Sequence, residues 1–333
     1  MNAWRFGLGL WISCLATAVA AEPPVTLQPE EKWSGVLGDC DVKFHYSIRG
    51  TERLDGRIDW VLSVNQRTID RGHTALTVGP GKPARATLPL RIPAVKEGVV
   101  LEAQLTVAIY TVADVKPAAV ENRTLRIFAT DPFANRGQWL RGLAITLFDP
   151  EKKTADLFDK THIPFKYTRN TSMLDELDEG LLVVGEGTAW RDYASLGQSV
   201  VKAASRGVPV LCLAPGEGTL ALPGADGADL PAPAAVTLRR EEVIGEIDKR
   251  LDRFAWPPDG QIAVSRLEIK GDRDRAILEF ARGDHGWPWL DVRYPAPRGH
   301  LWVCGFGIVR SWEAGPAPRY LLAELLARLS AQK

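Results

Sequence analysis

Residues 180–218, GLLVVGEGTAWRDYASLGQSVVKAASRGVPVLCLAPGEG, constrain the fold more than any other stretch of this chain. An apolar run from Leu181 to Val184 ends in Gly185-Glu186-Gly187. A segment of helical period follows over residues 191–206. A second apolar run, residues 208–213, ends in Pro215-Gly216-Glu217-Gly218. Such continuous apolar runs suit strands buried on both faces, and parallel neighbours need a long crossover, usually a helix. The stretch therefore predicts two parallel strands joined by a helix. In open α/β sheets ligands sit outside the carboxyl ends of the strands. Any site is thus expected beside the two glycine turns, with Glu186 and Glu217 at its rim.

The start of the chain has another character. Arg5 is positive, residues 6–16 are apolar, and Ala18-Val19-Ala20-Ala21 offers small residues for cleavage. That is the layout of an export signal over residues 1–21, with an uncleaved anchor as the alternative. The apolar run is shorter than a membrane span requires, and no later stretch reaches that length. The mature chain is expected to be exported, periplasmic or extracellular, with no membrane span. Cleavage would leave Cys40, Cys212 and Cys304, which cannot all pair within the chain. Cys212 and Cys304 fall in apolar runs, where a thiol serves as a small hydrophobe. A bridge between them is the alternative. The 41 basic and 41 acidic residues cancel, so the basic surplus of a nucleic-acid binder is missing.

A length of 333 residues is comfortable for two domains. Residues 22–32 read as an extended lead-in. Over residues 33–130 the pattern alternates apolar and polar: VKFHYSI at 42–48, a run around Trp60 at 58–64, RATLPLRI at 85–92, VVLEAQLTVAIYTV at 99–112, and a last run at 124–129. Glycine and proline punctuate these runs, as in an immunoglobulin-like β-sandwich. Residues 131–141 read as a linker. Beyond it the period changes. Strand-like runs at 143–148, 165–167, 181–184, 208–213 and 301–306 alternate with helical segments at 151–160, 191–206, 241–251 and 318–330. Residues 262–269 and 276–280 flank a turn at Gly271-Asp272-Arg273-Asp274. The expected fold is an N-terminal all-β sandwich followed, over residues 142–333, by a three-layer α/β domain with a mostly parallel sheet.

Gly207-Val208-Pro209-Val210-Leu211-Cys212-Leu213-Ala214-Pro215-Gly216 carries a likeness to a known group. Over roughly residues 143–333 the chain resembles class I glutamine amidotransferase-like (flavodoxin-like) domains. Their pattern here runs Gly, any, Pro, Val, Leu, Gly, Ile, Cys, any, Gly, with the cysteine as nucleophile at a strand-to-helix elbow. The nucleophile's place falls on Ala214, which cannot form a thioester. Shifting the match by two residues would put Cys212 there, inside the strand. Gly185-Glu186-Gly187 matches the glycine turn bordering that group's active site. Residues 299–329 look like its closing strand and helix, but His300 lacks the glutamate two residues on that completes the group's dyad. The resemblance is to catalytically empty members, which accompany secreted bacterial glycoside hydrolases and other envelope proteins. It implies a non-enzymatic binding or assembly protein of the bacterial cell envelope, with a protein or carbohydrate partner, no cofactor and no metal.

The candidate cleft comprises Gly185, Glu186, Gly187, Pro215, Gly216, Glu217 and Trp312. Glu186 and Glu217 allow two readings. Paired carboxylates can perform acid/base work on a glycosidic bond, which would make the protein a carbohydrate-active hydrolase. Alternatively, each carboxylate receives backbone N–H groups at a glycine turn or helix start. Trp312, beyond the last strand, could line the cleft by packing or stack on a sugar ring. Asp284-His285-Gly286-Trp287 reads as a turn. No phosphate loop, dinucleotide fingerprint, Gly-any-Ser-any-Gly elbow or His-Glu-any-any-His motif occurs.

Overall fold

The computed structural model describes residues 24–112, 115–222, 231–252, 267–270, 278–280, 287–295 and 299–331. The export signal at 1–21, the turn at Gly271–Asp274 and Asp284-His285-Gly286 lie outside the described residues.

Two facing sheets make the first half. One runs β1 (Val25–Pro29), β3 (Cys40–Gly50), β6 (Ala84–Ile92). The other runs β2 (Gly35–Leu37), β8 (Ala119–Phe128), β7 (Val100–Thr111), β4 (Leu54–Val64), β5 (Arg67–Val78). Side chains of a strand alternate between faces, and β6 shows it cleanly: Ala86, Leu88, Leu90 and Ile92 are buried, while Arg85, Thr87, Pro89 and Arg91 are exposed. The inward rows meet in one core that includes Phe44, Tyr46, Trp60, Leu105 and Ile127. Trp60 is therefore core, as its pattern predicts.

The second half is built on a seven-stranded sheet. Its strands are β9 (Ile145–Phe148), β10 (Phe165–Thr168), β11 (Leu181–Val184), β12 (Val210–Leu213), β14 (Ala235–Arg239), β17 (Trp289–Arg293) and β18 (His300–Cys304), in the order β10-β9-β11-β12-β18-β17-β14. The first five are parallel to one another; β17 runs antiparallel to both its neighbours, β18 and β14. A separate small sheet of β13 (Gly218–Ala221), β15 (Leu267–Lys270) and β16 (Leu278–Phe280) is also mixed. The helices are α1 (Gly137–Gly142), α2 (Lys153–Lys160), α3 (Ser172–Asp175), α4 (Leu196–Arg206), α5 (Glu242–Ile247) and α6 (Pro316–Ser330). Ile145, Leu147, Leu211, Leu213, Trp302 and Cys304 pack on the side of α5 and α6. Leu182, Val184, Val210, Cys212 and Val303 pack on the side of α4. None of the helices among the described residues is long and apolar enough to cross a membrane.

The expected fold class, a sandwich plus a three-layer α/β domain with a mostly parallel sheet, is therefore corrected. Among the described residues 44% are strand and 21% helix, the sheets are mixed, and the chain is β-rich with sandwich-like character. The reason lies in short segments. GTLA, AVTLR and WLDVR, which form β13, β14 and β17, are too brief for a period of two to register, and polar residues interrupt them. Several helices are also shorter than their periodicity suggests. Residues 241–251 yield only the six of α5, and residues 191–206 only the eleven of α4.

The two halves meet through specific polar ties. The Asp252 carboxylate accepts the Ser34 N–H at 2.8 Å, the Ser34 hydroxyl at 2.7 Å and the Gly35 N–H at 2.6 Å. The Tyr320 hydroxyl donates to the Ala129 carbonyl, Arg319 to the Thr130 carbonyl, and the Phe128 and Tyr320 rings lie 4.7 Å apart. Asp252→Ala leaves three partly buried donors without an acceptor. It is expected to lower unfolding free energy by about 2–3 kcal/mol. Asp252→Asn, which keeps one acceptor oxygen, should lose about half as much, read by urea unfolding.

Candidate functional site

The carboxyl ends of β9, β11, β12 and β18 define the candidate site. Gly185 follows β11, and its N–H donates to the Phe148 carbonyl at 2.8 Å. Only glycine fits there: a Cβ would sit 2.5 Å from the Asp149 carboxyl carbon. The next residue, Glu186, is 6% exposed. Its N–H donates to Thr154 Oγ1 at 2.8 Å. Its carboxylate reaches across to the segment between β18 and α6. Oε2 accepts the Val309 N–H at 2.7 Å and Oε1 the Arg310 N–H at 3.2 Å. Burial pushes the Glu186 pKa up, against the opposing pull of those two N–H groups and of the nearby Arg310 and Lys153 charges.

The two glycine turns bond to each other. The Gly187 N–H donates to the Ala214 carbonyl at 3.0 Å, the Gly216 N–H to the Thr188 carbonyl at 2.8 Å, and the Arg191 N–H to the Glu217 carbonyl at 3.0 Å. Outside this clasp, Glu217 is solvent-exposed and paired with Arg191 Nη1 at 2.7 Å. Ala214, on the elbow, is buried at φ +20°, a rare value for a residue with a Cβ. Its N–H donates to the Cys304 carbonyl at 2.6 Å. Beyond Glu217 the chain enters strand β13, where a nucleophile elbow would open a helix.

The structure thus brings Gly185, Glu186, Gly187, Pro215, Gly216 and Glu217 together, as a closed clasp. Pro215 is buried, Gly187 exposed. Trp312 is 6% exposed, belongs to the α6-side core and carries the Arg319 guanidinium 5.6 Å above its ring. Its surface is occupied by the protein itself. Glu186 and Glu217 have separate employments: backbone amides for one, an arginine for the other. This is the geometry of the second reading for Glu186, a carboxylate that receives backbone N–H groups.

Cys212 lies opposite Val303 and Leu213 opposite Cys304, so the two thiols sit on opposite faces of the sheet and cannot bridge. The bridge considered from sequence is ruled out, and all three cysteines of the described chain are free thiols. Burial pushes the Cys212 and Cys304 pKa values far up, which leaves no thiolate at neutral pH. In the native protein neither should react with Ellman's reagent until denaturant is added, and reductant should leave the melting temperature unchanged.

Sequence reasoning missed two groups. Asp149 directly follows the β9 run, so the same strand-end logic points to it. It is fully buried, its Oδ2 accepts the Ala155 N–H at 2.8 Å, its Oδ1 has no partner, and burial pushes its pKa up. Asp291 in β17 accepts Trp302 Nε1 at 3.1 Å and Arg293 Nε at 2.9 Å. His300 Nδ1 stands 3.7 Å from Asp291, too far for a hydrogen bond. The carboxylate near this histidine comes from a neighbouring strand.

No family model matches the chain, and no curated protein matches it. Among solved structures it is similar to Spo0M, a sporulation control protein from Bacillus subtilis, at 14% identity and TM-score 0.27, over 36% of this chain and 55% of that one. The chain thus spans about half the length of that protein. A cycloisomaltooligosaccharide glucanotransferase from Paenibacillus sp. matches at 11% identity and TM-score 0.27, over 56% of this chain and 28% of its own. A beta-glucuronidase of glycoside hydrolase family 2 matches at 10% identity and TM-score 0.25, over 62% and 21%. Likenesses this low carry no argument about fold or function.

Proposed function

We propose that this is a non-enzymatic binding or assembly protein, exported to the bacterial cell envelope, whose strand-end frame has lost its catalyst. The observation that carries the reading is the occupancy of that frame. Glu186 spends both carboxylate oxygens on the Val309 and Arg310 amides, and Ala214 is buried at the elbow. A general acid or base needs a lone pair or proton facing substrate, and a nucleophile needs a reactive atom. The likeness of residues 207–216 to an amidotransferase elbow, with Ala214 at the nucleophile's place, supports a frame without chemistry. Export rests on the character of residues 1–21, and a protein or carbohydrate partner on that of the group resembled. The balanced charge of the chain argues against nucleic acid.

The experiment is a turnover assay on purified protein with glutamine and a panel of chromogenic glycosides. The expected result is no turnover above that of the Cys212→Ala, Glu186→Gln and Glu217→Gln variants. Turnover abolished by Cys212→Ala would restore an amidotransferase-type nucleophile. Turnover abolished by either glutamate variant would establish a hydrolase.

A further inference from the structure

A cavity of about 160 Å³ lies in the seam between the two halves. The turn before β7 contributes Glu97, the connecting segment contributes Asp131, Asn135 and Arg136, and the α6 side contributes Arg250 and Glu324. Bonds made by the lining residues themselves hold its walls in place. The Asp131 carboxylate caps the Phe133 N–H at 2.8 Å, and the Phe133 carbonyl accepts the Arg136 N–H at 3.0 Å. Asn135 donates to Glu97. The Arg136 guanidinium lies 5.7 Å over the Trp139 ring, which fixes the group without using its N–H donors. Asp248 holds Arg250 through Nε and Nη2, at 2.9 and 2.7 Å. Arg250 Nη2 also stands 3.8 Å from Glu324 Oε1, an ion pair along the cavity wall, while Arg250 Nη1 and the exposed Arg136 fork donate no hydrogen bond to another described residue.

Two arginines with unspent donors face a cavity that three carboxylates also line. A dianion would meet Glu97, Asp131 and Glu324; a simple cation would meet Arg136 and Arg250. Only a molecule carrying both charges a short distance apart satisfies both sets. A volume of 160 Å³ holds about five water-sized groups at ~30 Å³ each, which is the size of glycine, alanine or serine. We infer that this seam cavity binds a small zwitterionic α-amino acid, its carboxylate on Arg136 and Arg250 Nη1 and its ammonium on the acidic side. Arginine suits a carboxylate because its planar fork can donate two parallel bonds. The site lies apart from the glycine clasp and stands whether or not that clasp is catalytically silent.

Isothermal titration of the full chain with glycine and alanine tests this, with sodium acetate and methylammonium chloride as single-charge probes. The expected result is saturable binding of both amino acids, with each single-charge probe at least about tenfold weaker, as expected when one charged hydrogen-bond set is lost. Arg136→Gln should weaken alanine binding about tenfold while leaving the melting temperature unchanged, because the side chain is exposed. Glu324→Gln, the second variant, should weaken methylammonium and alanine together, and should not weaken acetate, because it relieves Arg250 of its 3.8 Å ion pair. No saturation by about 10 mM amino acid, acetate binding as tight as alanine, or unchanged affinity in both variants would overturn the proposal.

Discussion

Glu186→Ala is expected to lower unfolding free energy by about 3 kcal/mol, more than most single substitutions do. The truncation removes the acceptor of the Val309 and Arg310 amides at once and leaves a void at the end of β11. Two donors then lose their acceptor at a part-buried site. Glu186→Gln should cost about half as much, since an amide oxygen still accepts one N–H while its NH₂ opposes the other. The pH dependence has a definite sign. Burial raises the folded-state pKa of Glu186 and of Asp149, so the folded chain holds these protons more tightly than the unfolded chain does. Their contribution to stability is fully present below the ordinary carboxylate range and is lost as pH rises through the raised folded values. Glu186→Gln should flatten that slope in urea titrations repeated across the acidic range.

Gly216→Ala should also cost about 3 kcal/mol, by overpacking. A Cβ there would sit 2.8 Å from the Thr188 carbonyl oxygen, 2.9 Å from the Gly187 carbonyl oxygen and 3.0 Å from the Ala189 Cα. All three are backbone atoms, so no side chain can swing aside. To admit the methyl group the two turns must separate, which breaks the Gly216-to-Thr188 and Gly187-to-Ala214 bonds together. The contrast is Gly245→Ala in α5, where nothing lies within 4 Å of the added Cβ. That change should be neutral or slightly stabilising, since alanine is the better helix former.

Much of this was legible in residues 180–218. β11 and β12 are four-residue apolar runs ended by glycine turns, long enough to read as buried strands, and they do pair in parallel. α4 begins at Leu196, five residues later than its periodicity suggests, because Trp190–Asp192 folds as a short 3₁₀ turn. What the sequence hid is pairing at a distance. The amides that Glu186 binds lie 123 and 124 residues away. Asp291 interrupts the apolar run of β17, yet it is buried because Trp302 and Arg293 satisfy it. No local pattern announces such partners, so β17 is absent from the strands the pattern predicts, and with it the antiparallel end of the sheet. The same limit applies to the site. Strand-end logic placed the two glycine turns side by side, but whether they gape or clasp depends on hydrogen bonds between them.

Amide hydrogen exchange at Gly187, Arg191, Gly216, Val309 and Arg310 tests the central claim, that the strand ends form a closed clasp. Those five N–H groups all donate inside it, so they should exchange slowly, near the rate set by global unfolding. Fast exchange at Gly187, Gly216 and Val309, with the amides of β11 and β12 still protected, would show an open cleft and contradict the account.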